Sequence, residues 1–196
     1  MASNNQEIEI KIPVDGVTFS HIKQKLQSTA TFVKSSSQID EYFTPPNRNF
    51  VEPFFTYEWL SIRKRGGKTI INYKHFYPEN AELTTHCDEF ETIIENPEQI
   101  EKIFSALNMK KLVVVEKERE VFIYKNEFEI ALDRVKELGN FIEIEAMKNF
   151  GTVHETREKL FQFAKRLGID TSNADKRGYP HLLMKKKGLT RCTIIP

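Results

Sequence analysis

Charged and apolar residues alternate strictly near the start of the chain, in the segment Glu7-Ile8-Glu9-Ile10-Lys11. A period of two is typical of a β-strand, because successive side chains point to opposite faces. The two glutamates therefore fall side by side on one face, where like charges repel unless a cation lies between them. A strand with a solvated charged face gives the same alternation. Recurrence of the pattern further along the chain distinguishes a charged site from such a strand.

Helical spacing of apolar residues marks four further segments. The first covers about residues 15–28. The second covers about residues 97–107 and opens with Asn96-Pro97-Glu98, where a capping side chain precedes a proline in the first turn. The third covers about residues 152–167 and ends at Gly168, a residue that suits a helix C-terminus. A shorter C-terminal helix is expected from about Pro180 to Lys186.

Most of the remaining chain has the composition and alternation of β-strands. Gly66-Gly67 predicts a tight hairpin turn between two of them, and Lys125-Asn126 is a weaker turn signal. About eight mostly antiparallel strands with a few helices predict an α+β fold, most simply a closed eight-stranded antiparallel β-barrel with the helices packed on the outside. The predicted strands are 6–12, 39–43, 58–65, 69–76, 86–95, 112–123, 127–134 and 140–147.

Length and composition suit one folded domain. The chain has 196 residues, of which 39% are hydrophobic and 29% are charged, and this is enough to build a proper core. No linker or repeat divides the sequence. We therefore expect a disordered N-terminus over residues 1–5, a single domain over residues 6–190 and a C-terminal tail over residues 191–196.

The balance of charge argues against a general nucleic-acid binder. The 29 basic and 28 acidic residues give a net charge of +1, whereas such a protein has a clear excess of basic residues. No apolar run reaches membrane length, and the polar N-terminus lacks a signal-peptide pattern. Cys87 and Cys192 have no metal-site spacing and imply no disulfide framework, so the expected location is the cytoplasm.

Several predicted strands carry charges on one face and apolar residues on the other. Glu143 and Glu145, for example, alternate with Ile142 and Ile144. If helices cover the apolar faces from outside, the charged faces line the interior of the barrel. The acidic residues of that interior would be Glu7, Glu9, Glu89, Glu91, Asp133, Glu143 and Glu145, and the basic residues would be Lys11, Arg63, Arg65, Lys74, Lys117 and Arg119.

Buried charge on this scale is costly unless each group has a partner. Mutual salt bridges are one explanation. A polyanionic ligand bound together with divalent cations is the other, and it uses both sets of residues at once. The basic side chains would hold phosphoryl oxygens, while the carboxylates would hold Mg²⁺ or Mn²⁺ through hard oxygen ligands.

The N-terminal segment, Glu7 to Lys11, resembles the ExExK signature of the CYTH superfamily, the triphosphate tunnel metalloenzymes. The likeness runs in order from residue 7 to about residue 185, and the segments 38–43, 45–50 and 138–145 are most similar to the class IV adenylyl cyclase branch. Further matching segments are Leu60-Ser61-Ile62-Arg63, Asn72-Tyr73-Lys74, Glu89-Phe90-Glu91, Glu116-Lys117-Glu118-Arg119, and Tyr179-Pro180-His181-Leu182-Leu183.

This resemblance implies an eight-stranded barrel that binds a nucleoside or inorganic triphosphate with divalent metal, expected as two Mg²⁺ or Mn²⁺ ions. Glu7 and Lys74 are the implied catalytic candidates. Proteins of this branch are often dimers, so a homodimer is also expected from the resemblance. The implied metal ligands are Glu9, Asp133, Glu143 and Glu145, supported by Glu7, Glu89 and Glu91, and the implied triphosphate ligands are Lys11, Arg63, Lys74, Lys117 and Arg119.

The sequence departs from the family pattern at three places. Ser61 replaces the first arginine of the common Leu-Arg-Ile-Arg segment, and Arg65, on the same strand face as Arg63, is expected to compensate. His75-Phe76 replaces a common Gly-Pro, and Cys87-Asp88 stands where a basic residue is often found. These changes lie in the substrate-facing region, so they bear on substrate choice more than on fold.

Three functions are compatible with these residues. The first is an adenylyl cyclase that converts ATP to cyclic AMP and pyrophosphate, and the second is a triphosphatase that hydrolyses inorganic tripolyphosphate or thiamine triphosphate. The third is a non-catalytic triphosphate or polyphosphate binder, which would gain nothing from so many carboxylates. In the enzyme, Glu9→Gln or Glu143→Gln is expected to abolish metal-dependent turnover with a nearly unchanged melting temperature.

Overall fold

The structure, a computed structural model, describes residues 6–82, 84–175 and 177–189. The segments predicted as a disordered N-terminus and a C-terminal tail lie outside these residues, as does Cys192. The helices are α1 (Gly16–Thr29), α2 (Pro97–Ala106), α3 (Val153–Leu167) and α4 (Tyr179–Lys186). The strands are β1 (Gln6–Glu7), β2 (Glu9–Val14), β3 (Thr31–Thr44), β4 (Glu58–Arg65), β5 (Lys68–Tyr77), β6 (His86–Ile93), β7 (Lys110–Tyr124), β8 (Phe128–Val135) and β9 (Gly139–Ala146).

All four predicted helices are confirmed, because their ends are specified by local chemistry. At the start of α1, the Asp15 side chain accepts a hydrogen bond from the Thr18 backbone N–H at 2.7 Å. Helix α3 begins with a reciprocal capping box between Thr152 and Glu155. It ends at Gly168, whose φ of 93° is readily adopted only by glycine.

The predicted strands are confirmed except at their margins, and β3 differs most. It was predicted over residues 39–43 but begins at Thr31. The added part contains Ser35-Ser36-Ser37, which has little intrinsic β propensity. Because β3 is hydrogen-bonded to β7 along the sheet, pairing with a distant segment extends this strand beyond what its local sequence indicates.

The antiparallel sheet differs from the predicted closed barrel. Its strands follow the order β1-β6-β5-β4-β3-β7-β8-β9-β2. The strand order has β1 at one end and β2 at the other. Over the described residues, this is the strand order of an open sheet. The expected count of eight strands becomes nine because the N-terminal strand is interrupted at Ile8, which separates the two-residue β1 from β2.

The described residues divide into two compact units, and strands β3 and β7 pass from one to the other. The first unit contains Gln6, Gln38–Glu116 and residues 177–189, and the second contains Glu7–Ser37 and residues 117–175. Each has its own core. In the first unit Phe43, Ile62 and Phe104 are buried together.

The core of the second unit explains the alternation of its strands. Ile8, Ile10 and Ile12 pack with apolar residues of β8, β9, α1 and α3. Their burial turns the charged residues of β2 to the opposite face. No helix among the described residues combines the length and the apolar character needed to cross a membrane.

Candidate functional site

The second unit has a sheet face, here called the second-unit charged face, that is lined by acidic and basic side chains. Strand register places the charged residues of β2, β7, β8 and β9 at facing positions. Lys11 is opposite Glu143, and Arg119 is opposite Asp133. The predicted site residues on this face are Glu9, Lys11, Lys117, Arg119, Asp133, Glu143 and Glu145.

Arg119 and Asp133 form a bidentate ion pair. The Arg119 Nε and Nη2 atoms donate to the two carboxylate oxygens of Asp133 at 2.7 and 2.6 Å. Arg119 Nη2 also donates to Glu143 Oε1 at 3.0 Å, and Lys117 Nζ lies 3.5 Å from Asp133 Oδ2. Asp133 has no solvent-exposed surface, so this pairing compensates a carboxylate that would otherwise be costly to bury.

These cations lower the pKa of both buried carboxyl groups. Burial alone raises the pKa of Asp133, but the charges of Arg119 and Lys117 outweigh it and leave the pKa below its ordinary value. The pKa of Glu143 is held well below its ordinary value, because the charges of Arg119 and Lys11 outweigh a similar effect of burial. Both groups are therefore ionised at neutral pH.

Lys11 lies between two carboxylates, where the sequence predicts a cation. Its Nζ is 3.0 Å from Glu143 Oε2 and 3.4 Å from Glu9 Oε1. Burial lowers the pKa of Lys11, but Glu143, Glu9 and Asp175 together raise it above its ordinary value. The backbone of Lys11 is also held, because the Asp175 N–H donates to its carbonyl at 2.6 Å.

A row of three carboxylates crosses the same face. Glu9 is paired in register with Glu145, which is paired in turn with Glu129. Side chains at directly facing positions of antiparallel strands lie close together, and like charges there repel. Glu129 was not among the predicted site residues, although its alternation with Ile130 places it on the charged face of β8.

The first unit has its own charged face, the first-unit charged face, on β3, β4, β5 and β6. Glu89 is its centre: its carboxylate accepts from Arg63 Nη1 at 2.8 Å and from Asn72 Nδ2, and Lys74 Nζ lies 3.4 Å away. Glu91 lies further from Arg63, at 3.8 Å, and its side chain is half exposed.

Arg65 is paired with an acidic residue that was not among the predicted site residues. Its Nε and Nη2 atoms donate to the Asp40 carboxylate at 3.3 and 2.8 Å, and Asp40 is buried. Asp40 already engages the guanidinium of Arg65. Compensation by Arg65 for the arginine that Ser61 replaces therefore stays a prediction. The alternation of side chains along β3 could have identified Asp40 from the sequence, because it places Asp40 on the same sheet face as the charged residues of β4.

The remaining predicted residue is Glu7, which ends β1 and is partly buried. Glu7 precedes Glu9 by two residues, but the interruption at Ile8 separates their strands. The predicted site residues thus form two sets, one on each charged face, with Glu7, at the end of β1, assigned to the second unit.

The donor set suits a hard divalent cation, because the predicted metal ligands on both faces are carboxylates. The present arrangement is one of ion pairs. Among the described residues, no three or more His, Cys, Asp or Glu side chains converge as a metal-binding group. A metal would therefore take carboxylates that Lys11 and Arg119 engage here.

Comparison with known proteins shows the family to which this chain belongs. The family model described as CYTH domain matches residues 5–179. One relative, a "putative adenylate cyclase" from Methanocaldococcus jannaschii, is 29% identical over 177 residues, which cover 90% of this chain and 97% of the relative. A solved protein from Pyrococcus horikoshii OT3 is 28% identical with a TM-score of 0.77, over 92% of this chain and 99% of that one.

A more distant structure shares the fold. It is a "putative adenylyl cyclase" from Hippeastrum, described as having a dominant triphosphatase activity, and it is 17% identical with a TM-score of 0.62. The matched regions cover 93% of this chain and 95% of that one. The family match extends over nearly the whole chain and includes both charged faces, so this chain belongs to the CYTH domain family.

Proposed function

We propose that this protein is a divalent-metal-dependent enzyme that acts on a triphosphate, and that its reaction is the conversion of ATP to cyclic AMP and pyrophosphate. One observation carries the proposal: the second-unit charged face combines three basic side chains with a larger set of carboxylates. Basic residues alone are enough to bind an anion. The excess of carboxylates indicates that cations bind together with the anion.

The basic residues have the geometry of phosphate ligands. Arg119 offers a planar guanidinium that can contact two phosphoryl oxygens, while Lys11 and Lys117 contribute point charges. All three are largely buried, and their charges act more strongly in a site from which water is excluded. Arg63 and Lys74 offer the same chemistry on the first-unit charged face.

Glu9, Glu143 and Glu145 are the residues that would hold Mg²⁺ or Mn²⁺, and Glu129 extends their row. The metal, when bound, would lower the pKa of the attacking hydroxyl and neutralise charge on the leaving pyrophosphate. In the cyclase reaction the ribose 3′-oxygen forms a bond to the α-phosphorus, and the bond from that phosphorus to the leaving pyrophosphate breaks. The residues of this chain would bind and orient the phosphates.

Hydrolysis is the alternative, because the same residues recognise phosphate and not the group attached to it. A water molecule would then attack the γ-phosphorus and break its bond to the bridging oxygen, which would release orthophosphate and a diphosphate. Tripolyphosphate or thiamine triphosphate would be the substrate. The presence of an adenine-binding region distinguishes the two reactions.

Product analysis tests the proposal directly. Purified protein is incubated with Mg²⁺ or Mn²⁺ and, separately, with ATP, inorganic tripolyphosphate or thiamine triphosphate. We expect cyclic AMP and pyrophosphate from ATP, and none after chelation of the metal. Orthophosphate chiefly from tripolyphosphate or thiamine triphosphate would establish the triphosphatase instead, and binding without product would leave only the non-catalytic binder.

A further inference from the structure

Ser61 lies where the family pattern has an arginine, and its hydroxyl has a specific partner in this chain. The Arg63 Nε donates to Ser61 Oγ at 3.2 Å. Both residues are on β4, two positions apart, so their side chains project from the same face. Ser61 is almost completely buried, with 1% of its surface exposed. The contact is therefore a buried hydrogen bond between a neutral acceptor and a charged donor.

The same guanidinium is held from a second direction. Its Nη1 donates to Glu89 Oε1 at 2.8 Å. Glu89 is itself fixed by Asn72, whose amide donates to it and, at 3.4 Å, to Glu91 Oε2. Asn72 also has 1% of its surface exposed, and strand register pairs it with Ser61 on one side and Glu91 on the other.

These contacts leave one nitrogen of Arg63 without a hydrogen bond to the described residues. Nε is engaged by Ser61 and Nη1 by Glu89, whereas Nη2 makes no hydrogen bond or ion pair with any residue that the structure describes. A guanidinium fixed at two nitrogens has lost most of its rotational freedom before a ligand arrives. Its remaining N–H donors can then bind an anion with a smaller loss of conformational entropy.

We infer that Ser61 is a positioning residue for Arg63, which presents Nη2 to a phosphoryl oxygen of the substrate. This inference rests on the proposed function for the substrate class, a triphosphate. An arginine at position 61 would be a second donor and could not accept the Nε proton. In this chain, serine in place of arginine at position 61 thus removes one phosphate-binding charge and holds Arg63 more rigidly.

A double-mutant cycle between positions 61 and 63 tests the inference. Binding of inorganic tripolyphosphate is measured by calorimetry, with and without Mg²⁺, for wild type, Ser61→Ala, Arg63→Lys and the double variant. Ser61→Ala is expected to weaken binding about 5- to 10-fold, the usual effect of one lost hydrogen bond. In the Arg63→Lys background, where no Nε contact exists, Ser61→Ala is expected to change affinity less than about twofold.

Two further variants separate positioning from a merely structural role. Ser61→Thr keeps the hydroxyl and suits a strand, so it is expected to retain wild-type affinity. Ser20→Ala removes an exposed hydroxyl from α1 and is the matched control. Unchanged affinity in Ser61→Ala, or equal losses of affinity in Ser61→Ala and Ser61→Thr, would overturn the inference. Additive effects in the double-mutant cycle would also overturn it, as would a wild-type protein that does not bind tripolyphosphate.

The measurement is independent of turnover. If wild type binds tripolyphosphate but yields no product from any triphosphate, the proposed enzyme activity fails while the cycle still tests the role of Ser61. If wild type is active and the cycle is additive, the enzyme stands and the positioning role is rejected.

Discussion

Glu143 contacts Lys11 and Arg119 through different oxygens, at 3.0 Å in both cases. The sequence suggests that Glu143→Gln and Glu9→Gln are equivalent probes of metal binding. The structure separates them, because Glu143 is a buried partner of two cations whereas Glu9 makes one longer contact with Lys11.

Substitution of Glu143 is therefore expected to affect stability as well as turnover. Glu143→Gln leaves Lys11 and Arg119 with reduced compensation, and we expect a loss of about 3 kcal/mol in the free energy of unfolding. Glu9→Gln should cost less than about 1 kcal/mol while abolishing metal-dependent turnover. Urea denaturation and product assays on both variants check this difference. Equal stability of the two variants would contradict it.

Lys74 provides a test of phosphate binding on the first-unit charged face. Lys74→Met keeps most of the apolar stem but removes the charge, so we expect the KM to rise about 10- to 100-fold. Lys64→Met is the matched control, since Lys64 lies on the opposite face of the same sheet and pairs with Glu41. Steady-state kinetics of both variants decide the point, and an unchanged KM in Lys74→Met would remove Lys74 from the site.

At the scale of single elements, the caps and turns explain why the helices were predicted to within about two residues. Proline after Asn96 marks the start of α2, and the Asn96 side chain accepts from the Gln99 N–H at 3.2 Å. The turn predicted at Gly66-Gly67 is confirmed, with positive φ at both residues. Strand β3 could not be delimited in this way, because its first half depends on a partner strand.

Two glycines give opposite expectations for alanine substitution. Gly168 ends α3 with a φ of 93°, a conformation that costs an alanine about 1–2 kcal/mol, so Gly168→Ala should lower the melting temperature. Gly16 begins α1, and an added Cβ there would meet no atom within 4 Å. Gly16→Ala should therefore stabilise the protein by about 0.5 kcal/mol. Thermal denaturation of both variants tests the pair, and equal shifts would contradict the assignment of the cap.

At the scale of the whole molecule, the depressed pKa values of Asp133 and Glu143 predict how stability depends on pH. A carboxyl group with a lowered pKa in the folded state stabilises the protein above its ordinary pKa. That contribution is lost as the pH falls through the lower, folded-state pKa. The ordinary values are 3.8 for Asp and 4.5 for Glu, so the loss begins near pH 4.5 and continues below it.

The free energy of unfolding should consequently fall by up to about 1.4 kcal/mol per pH unit for each such group in this acidic range. Urea denaturation between pH 6 and pH 3 measures the slope. Glu143→Gln should show a shallower slope than wild type, because one of the two groups no longer titrates. A wild-type stability that does not decrease below pH 4.5 would show that these carboxylates are not ion-paired in the folded protein.

The alternation of charged and apolar residues by itself determined which side chains share a face. It separated Glu9 and Lys11 from Ile8 and Ile10, and it placed Arg63 and Lys74 on charged strand faces. Such assignments follow from the two-residue period of a strand and need no knowledge of its neighbours. The order of matching segments was also sufficient to identify the family.

Only the tertiary structure decided which charges meet. Arg119 pairs with Asp133, Lys11 with Glu143, and Arg65 with Asp40, because register between strands distant in sequence sets these contacts. Register likewise extended β3 and added Glu129 to the row of carboxylates. A strand's own sequence specifies its faces, whereas the pairing of those faces is a property of the folded sheet.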